Sequence, residues 1–290
     1  GQVLLEGTDD NSGVFIEFHR TNPTENYYTT TTESDGIFEK EIPLGIYNIS
    51  FTKEGWQPYE LNNQYVTETT QYESITLEPG YPAYVEGEVS GTWSNEYLYF
   101  VQGDITVPSW ETLTIEAGTT IKFTGEYQFS VEGVLQAEGD SLNHIEFISG
   151  DTDPQPGDWG ILSLHSPGNI LRYVDIRHAG NGISGEDIDG SLFDHCSIAE
   201  IPYWADEERI NCHGIEAENC LGCVFSNNSV DGDIWEGIMV EHDGTGSVFT
   251  GNVINTLEAI VGLAVGEGDS LLFTDNTITT DGTAIQLPSG

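Results

Sequence analysis

A phenylalanine and an asparagine return together at a fixed step in this 290-residue chain. CVFSNNSV (223–230), SVFTGNVI (247–254) and LLFTDNTI (271–278) share Phe-x-x-Asn-x-(Val/Ile), and the step is 24 residues both times. SLFDHCSI (191–198) is an earlier copy, 32 residues before the next; ILRYVDI (170–176) and HIEFIS (144–149) are less regular ones. A second marker alternates with the first: Gly182-Ile183, Gly214-Ile215, Gly237-Ile238 and Ala284-Ile285. Repeats of about 20–30 residues built from short strands define a solenoid. Strands this short cannot bury an apolar face alone, so stacked coils bury it between like neighbours, with equivalent residues about 4.8 Å apart. Phe225, Phe249 and Phe273 are expected to stack in the core. Asn228, Asn252 and Asn276 are expected to form an amide ladder at an inward corner, where each side chain satisfies the next. One residue inserted within a strand would exchange core and surface faces, which explains the strict step.

The composition agrees with an all-β chain. Aromatics make up 11 %, glycines number 34, and the helix-favouring Lys, Arg and Met are scarce. A hydrophobic fraction of 37 % is enough for a sizeable core. There are 49 acids against 7 bases, a net charge of -42. Nucleic acid needs basic stripes, and an anionic membrane surface needs positive charge; neither is an expected partner. Cations, neutral glycans and water are. Such charge also keeps a protein soluble in high salt. No 18-residue apolar run exists, so no membrane insertion is expected. No signal peptide is evident, and the start at Gly1-Gln2-Val3 has the look of a mature or trimmed end.

Residues 1–79 read differently from the rest. VLLEG, GVFIEFHR, NYYTTTTE, GIFEKEI, YNISFTK and ESITLEP alternate or are β-branched, and turn signals such as Ser34-Asp35-Gly36 and Pro43-Leu44-Gly45 separate them. Six or seven short strands predict a β-sandwich. TESDGIFEKEIPLGIYNISFTKEGW (32–56), with Asp35-Gly36-x-Phe38, Ile42-Pro43-x-Gly45-x-Tyr47 and Phe51-x-Lys53-x-Gly55-Trp56, resembles the carboxypeptidase regulatory-like domain, a transthyretin-like sandwich. That resemblance implies an accessory module of a secreted or surface protein. From residue 80 to 290 the chain resembles the right-handed parallel β-helix of pectin-lyase-like proteins. The resemblance rests on the repeats above, on GDWGILSL (157–164), and on VQGDITVPSWETLTIEAGTTIKFTGEYQFSVEGVLQAEG (101–139), which looks like the opening coils of secreted β-helix proteins. About 24 residues per coil predict roughly eight coils. An inserted loop at 199–211, AEIPYWADEERIN, leaves the pattern; its Tyr203 and Trp204, with Trp235, are ligand-loop candidates, against the plainer reading of a surface loop.

The β-helix resemblance brings polysaccharide lyases and glycoside hydrolases into view. A lyase base is usually Arg or Lys, and the solenoid has only Lys122, Arg172, Arg177 and Arg209. Its 35 acids and 4 bases (81–290) would repel a polyanionic substrate. Cys212-His213-Gly214 matches only part of the polygalacturonase pattern; the paired aspartates and Arg-x-Lys are missing. No catalytic residues are therefore assigned. Asp187, Asp189, Asp231 and Asp233 are calcium candidates, because they cluster hard oxygens, and no other cofactor is expected. Cys196, Cys212, Cys220 and Cys223 are disulfide candidates that would close the insertion, with a zinc-like reading behind them, since His195 and His213 are adjacent. The expected function is that of a non-enzymatic, secreted structural or adhesive protein of a cell surface, matrix or filament. It could self-associate into a fibre through open solenoid ends. A β-helix lyase or hydrolase, or a glycan-binding module, is the alternative.

Overall fold

The computed structural model describes residues 1–53, 56–67, 70–202, 212–232, 234–256 and 261–287. Every regular element among them is a β-strand. The chain forms two compact units, Gly1–Pro82 with Glu96–Leu98, and Ala83–Asn95 with Tyr99–Gly290.

In the first unit, strands β1 (Val3–Leu5), β2 (Phe15–Asn22), β3 (Asn26–Thr31), β4 (Gly45–Thr52), β5 (Tyr59–Val66) and β6 (Ile75–Leu77) make two sheets. One is antiparallel in the order β3-β2-β4-β5; the other is the parallel pair β1-β6. Alternation in GIYNISFT turns Tyr47, Ile49 and Phe51 into a core shared with Val3, Ile16, Phe38 and Leu77. Gly36 is required: its φ is +75°, and a Cβ there would strike the Val3 carbonyl. Two strand expectations need correction. GIFEKEI forms only an isolated bridge, Gln2 with Ile37, because Phe38 is drawn into the core while its charged neighbours stay exposed. β5, which the sequence hid, is largely exposed and polar.

The second unit is a parallel solenoid. Each coil visits three stacks of short strands in turn. The first stack runs from Gly91–Trp93 through Thr112–Glu116, Val134–Glu138, Ile170–Arg172, Leu192–Asp194, Val224–Ser226 and Val248–Thr250 to Leu272–Thr274. The second runs from Thr120–Phe123 through Ile145–Ser149, Val174–Arg177, Ser197–Ala199, Ser229–Asp231 and Val253–Thr256 to Thr277–Thr280. The third runs from Phe129–Val131 through Leu162–Leu164, Ile183–Glu186, His213–Glu218, Glu236–Asp243 and Val261–Glu267 to Thr283–Gln286. The long strand Tyr97–Val107 starts both the second and the third stack.

Register is held by like residues lying over like. Phe193, Phe225, Phe249 and Phe273 are aligned strand on strand. Their rings stack with centroids 5.1, 4.9 and 4.9 Å apart and planes within 9° of parallel. Burying a phenylalanine contributes about 1.5–3 kcal/mol, so this column is a main source of cohesion between coils. At the corner after the first stack, the Asn228 side-chain amide donates to Asn252 Oδ1 (3.0 Å) and to the Phe193 carbonyl (2.9 Å). Asn252 repeats the pattern toward Asn276 (2.8 Å) and the Phe225 carbonyl (2.9 Å). Backbone N–H groups that the corner would otherwise orphan, those of Cys196, Asn228 and Asn252, donate to the same Oδ1 atoms.

The glycine marker marks a close approach. Gly182, Gly214, Gly237 and Gly262 stack at the inner start of the third-stack strands. A Cβ on Gly214 would lie 2.5 Å from both the Gly237 carbonyl and Val230 Cγ1. One on Gly237 would strike the Gly262 carbonyl and Ile254 Cγ2. Gly262-Leu263 belongs to this column but reads past the eye, because leucine stands where the other copies have isoleucine.

Candidate functional site

Between the first and second stacks the last five coils turn through one residue of left-handed backbone, directly before the ladder position. Asn227 (φ 55°), Gly251 (66°) and Asp275 (55°) occupy that place in the later coils, all residue types that tolerate it. In the two preceding coils it is held by Tyr173 (49°) and His195 (56°). Tyrosine is uncommon in this region, at a cost of about 1–2 kcal/mol, whereas histidine is found there more readily. Tyr173 and His195 stack on one another, centroids 4.4 Å apart and planes at 23°. His144 leans on Tyr173 at 5.4 Å. The ring column ends at His195, because the next coil offers Asn227.

Paired charges border this column on both sides. On the first-stack side, Arg172 donates to Glu138 (3.2 Å) and its Nε lies 3.4 Å from Asp194. Asp194 Oδ1 accepts from Ser226 Oγ (2.7 Å) and Asn227 Nδ2 (3.2 Å), with the His195 ring 3.0 Å away. Burial alone would raise the Asp194 carboxyl, but the Ser226 and Asn227 hydrogen bonds and the His195 ring outweigh it and hold it below the usual carboxylate value. On the second-stack side, His144 Nδ1 lies 3.0 Å from Asp175, and Arg177 pairs with Glu146. His144, His195, Arg172 and Arg177 remain 37–40 % exposed. The result is a solvent-facing row of rings framed by donors and acceptors already fixed by their partners.

The residues singled out from sequence lie elsewhere. Tyr203, Trp204 and Asp233, with most of the 199–211 insertion, lie outside the described residues. Trp235 is half-buried, its backbone N–H bonded to the Cys212 carbonyl. Asp187 accepts from Asn219 Nδ2 (3.1 Å) and Asp189 from the Leu221 N–H (2.8 Å), so both tie one coil to the next. Asp231 stands on a second-stack strand between Ala199 and Asn255. Among the described residues, no three His, Cys, Asp or Glu side chains converge on a point that could hold a metal ion.

The disulfide expectation is corrected: Cys196, Cys212, Cys220 and Cys223 are buried free thiols. The reason lies in the columns. Cys196 takes the ladder place that Asn228 holds one coil later, and its Sγ meets the Leu171 carbonyl (3.3 Å). Cys223 stands at the opposite end of the first-stack strand, in a polar column with Asn169, Ser191 and Ser247, and its Sγ meets the Ile188 carbonyl (3.3 Å). Cys212 Sγ meets the Gly180 carbonyl (3.4 Å). The cysteines act as small polar corner residues. Burial pushes the Cys196 thiol up to about 12, and a hydrogen bond with Cys220 together with burial raises that of Cys223.

One further arrangement stands on the third stack. His213 is 3 % exposed, its Nδ1 lies 2.9 Å from Glu236 Oε2 and its Nε2 3.9 Å from Glu216. Despite this proximity, His213 Nδ1 makes no hydrogen bond.

Three stacks of parallel strands and a polar ladder define a β-solenoid, with a ring-lined corner on its surface. Residues 141–290, more than half of the chain, match the family described as right handed beta helix region, and the chain belongs to that family. No curated protein and no solved structure matches it.

Proposed function

We propose that this chain is a secreted, non-enzymatic adhesive protein whose solenoid corner binds a neutral glycan. The observation that carries this is the stacked pair Tyr173 and His195, held in left-handed backbone where neighbouring coils place Asn, Gly or Asp. Strain of this kind persists where the surroundings enforce it and gathers at binding sites. Ring faces accept the C–H faces of sugars, and pre-paired Arg172, Asp194, Asp175 and Arg177 present fixed partners to hydroxyls. A charge of -42 favours a neutral glycan over an acidic one. The resemblance of residues 32–56 to an accessory module supports a place outside the cell or at its surface.

The test is calorimetric titration of the full chain with neutral oligosaccharides (glucan, mannan and xylan fragments), with polygalacturonate fragments as acidic controls. Tyr173→Ala is expected to weaken neutral-glycan binding by about tenfold or more, the worth of one stacking ring. Binding that survives this change, or that favours the acidic fragments, sinks the proposal.

A second reading, polysaccharide cleavage, is favoured by His213 between Glu216 and Glu236, an imidazole with two carboxylates as acid–base work requires. New reducing ends released by the wild type and lost in Glu236→Gln would establish it and remove the word non-enzymatic.

A further inference from the structure

Two stretches of the chain carry the Asn-x-Ser pattern that accepts an asparagine-linked glycan, Asn48-Ile49-Ser50 and Asn227-Asn228-Ser229. Patterns this short arise by chance, so the side chains have to decide. Asn227 has already committed its amide nitrogen: Nδ2 donates to Asp194 Oδ1 (3.2 Å) from a left-handed turn beside the ladder. Asn48 is placed differently. Alternation in β4 sends Tyr47, Ile49 and Phe51 into the core, so Asn48 and Ser50 share the outer face of the sheet. Asn48 Oδ1 accepts from the Asn63 N–H (3.0 Å). A backbone donor demands the oxygen there, which makes the nitrogen the outer end of the amide. That Nδ2 makes no hydrogen bond with any described residue and is open to solvent.

Beside Asn48 stands a shelf of rings. His19 on β2 pairs in register with Asn48 on one side and with Tyr27 of β3 on the other. The His19 and Tyr27 rings stack with centroids 4.4 Å apart and planes at 5°. Glu25 holds both, 3.1 Å from His19 Nε2 and accepting from the Tyr27 hydroxyl (3.3 Å). Tyr27 is still 54 % exposed. A shallow pocket of about 180 Å³ joins His19 to Asn48 and Ser50. It is smaller than the about 300–1,000 Å³ of small-molecule sites, too little to enclose a free ligand. A sugar tethered to Asn48 needs no enclosure, and ring faces accept the C–H faces of sugars.

We propose that Asn48 is an N-glycosylation site and that the first sugar of its glycan rests on the His19–Tyr27 shelf. The proposal uses the secreted location argued above and nothing of the solenoid corner. The donor is an oligosaccharide carried on a polyprenyl diphosphate. Nδ2 attacks the anomeric carbon of the first sugar. The N–C bond forms, the C–O bond to the diphosphate breaks, the lipid diphosphate leaves with the electron pair, and Nδ2 gives up one proton. Ser50 supplies the hydroxyl that the pattern requires, and Ile49 satisfies the exclusion of proline between them.

The test is mass spectrometry of the full chain isolated from its source organism, with the extracellular and cell fractions kept apart. Trypsin cuts after Lys40 and Lys53, so the peptide Glu41–Lys53 holds Asn48 and no other asparagine. It is expected to carry a saccharide mass on Asn48, and the peptide 210–290 none on Asn227. Ser50→Ala, made in the same host, is expected to lose that mass with Asn48 still in place, and Ser50→Thr to keep it. Chain bearing the glycan should have a higher urea midpoint than chain made in a host without the transferase, and Tyr27→Ala should erase the difference. The site is overturned if exported protein yields Glu41–Lys53 only at its polypeptide mass, or if Ser50→Ala keeps the modification. The shelf is overturned if the midpoint difference survives Tyr27→Ala. Protein found only inside the cell sinks the secreted reading and the glycan together; exported but unmodified protein sinks the glycan alone.

Discussion

Asn252 takes part in four hydrogen bonds through one side chain: its Nδ2 donates to Asn276 and to the Phe225 carbonyl, and its Oδ1 accepts from both the backbone and side chain of Asn228. Removing that amide leaves several buried groups unsatisfied, at about 1–3 kcal/mol for each that cannot relax. Asn252→Ala is expected to lower the unfolding free energy by about 2–4 kcal/mol, read from the urea midpoint. An unchanged midpoint would mean that the ladder is ornamental. The cysteines make a second prediction at this scale. Their thiols are buried, with those of Cys196 and Cys223 raised, so none should react with iodoacetamide in the native protein, and four should react in denaturant without reductant. Fewer than four after denaturation would restore the disulfide reading. Asp194 supplies a pH signature. Its folded value lies below the ordinary 3.8 of the unfolded chain, so its stabilisation is complete above that pH and is lost as pH falls further. The stability difference between the wild type and Asp194→Asn, followed from about pH 6 to about pH 3, should shrink only at the acid end.

At the scale of elements, columns count for more than strands. The Phe and Asn repeat was legible because each coil reuses the same residue at the same place, and a single sequence can reveal a place used three times. The corner site was not legible in that way. Once ILRYVDI, SLFDHCSI and CVFSNNSV are superposed, Tyr173 and His195 fall in the column of Asn227, yet the signal is a pair of residues that break a pattern rather than keep it. The cysteines misled for the same reason: four thiols within 28 residues look like a cross-linking set until each is assigned to its column. β5 was invisible because an exposed, polar strand leaves little alternation. The glycine column offers a test of packing between elements. Gly237→Ala would drive a methyl into the Gly262 carbonyl and Ile254 Cγ2, two rigid neighbours, and overpacking of this kind costs about 1–3 kcal/mol. Gly190→Ala has open space around its Cβ, and its cost should come only from its backbone, φ +66°. If the Gly237 variant is no less stable than the Gly190 one, strands of the third and second stacks are not in the close contact described.

Across the whole molecule two electrostatic effects oppose each other, and their numbers decide the sign. Attraction is present: each of the seven histidines lies within 3.9 Å of a carboxylate, and Arg172 and Arg177 are paired as well. Yet if every one of the 7 lysines and arginines and the 7 histidines took its own acid, 35 of the 49 would have no basic partner (49 less 14). Exposed pairs contribute about 0–1 kcal/mol each, while repulsion among the remaining carboxylates acts over the whole surface and opposes the compact state. Salt screens both, and the Debye length falls from about 30 Å at 0.01 M to about 3 Å at 1 M. Repulsion has more to lose. The urea midpoint is therefore expected to rise with sodium chloride across that range, most steeply at the low end, with an unchanged dependence on denaturant. Potassium chloride should give the same curve, since the effect is one of screening and needs no particular cation. A midpoint that falls with salt would mean that the ion pairs dominate. A rise with millimolar calcium that sodium cannot reproduce would mean that the acids hold a specific ion, and the aspartates would return as ligands.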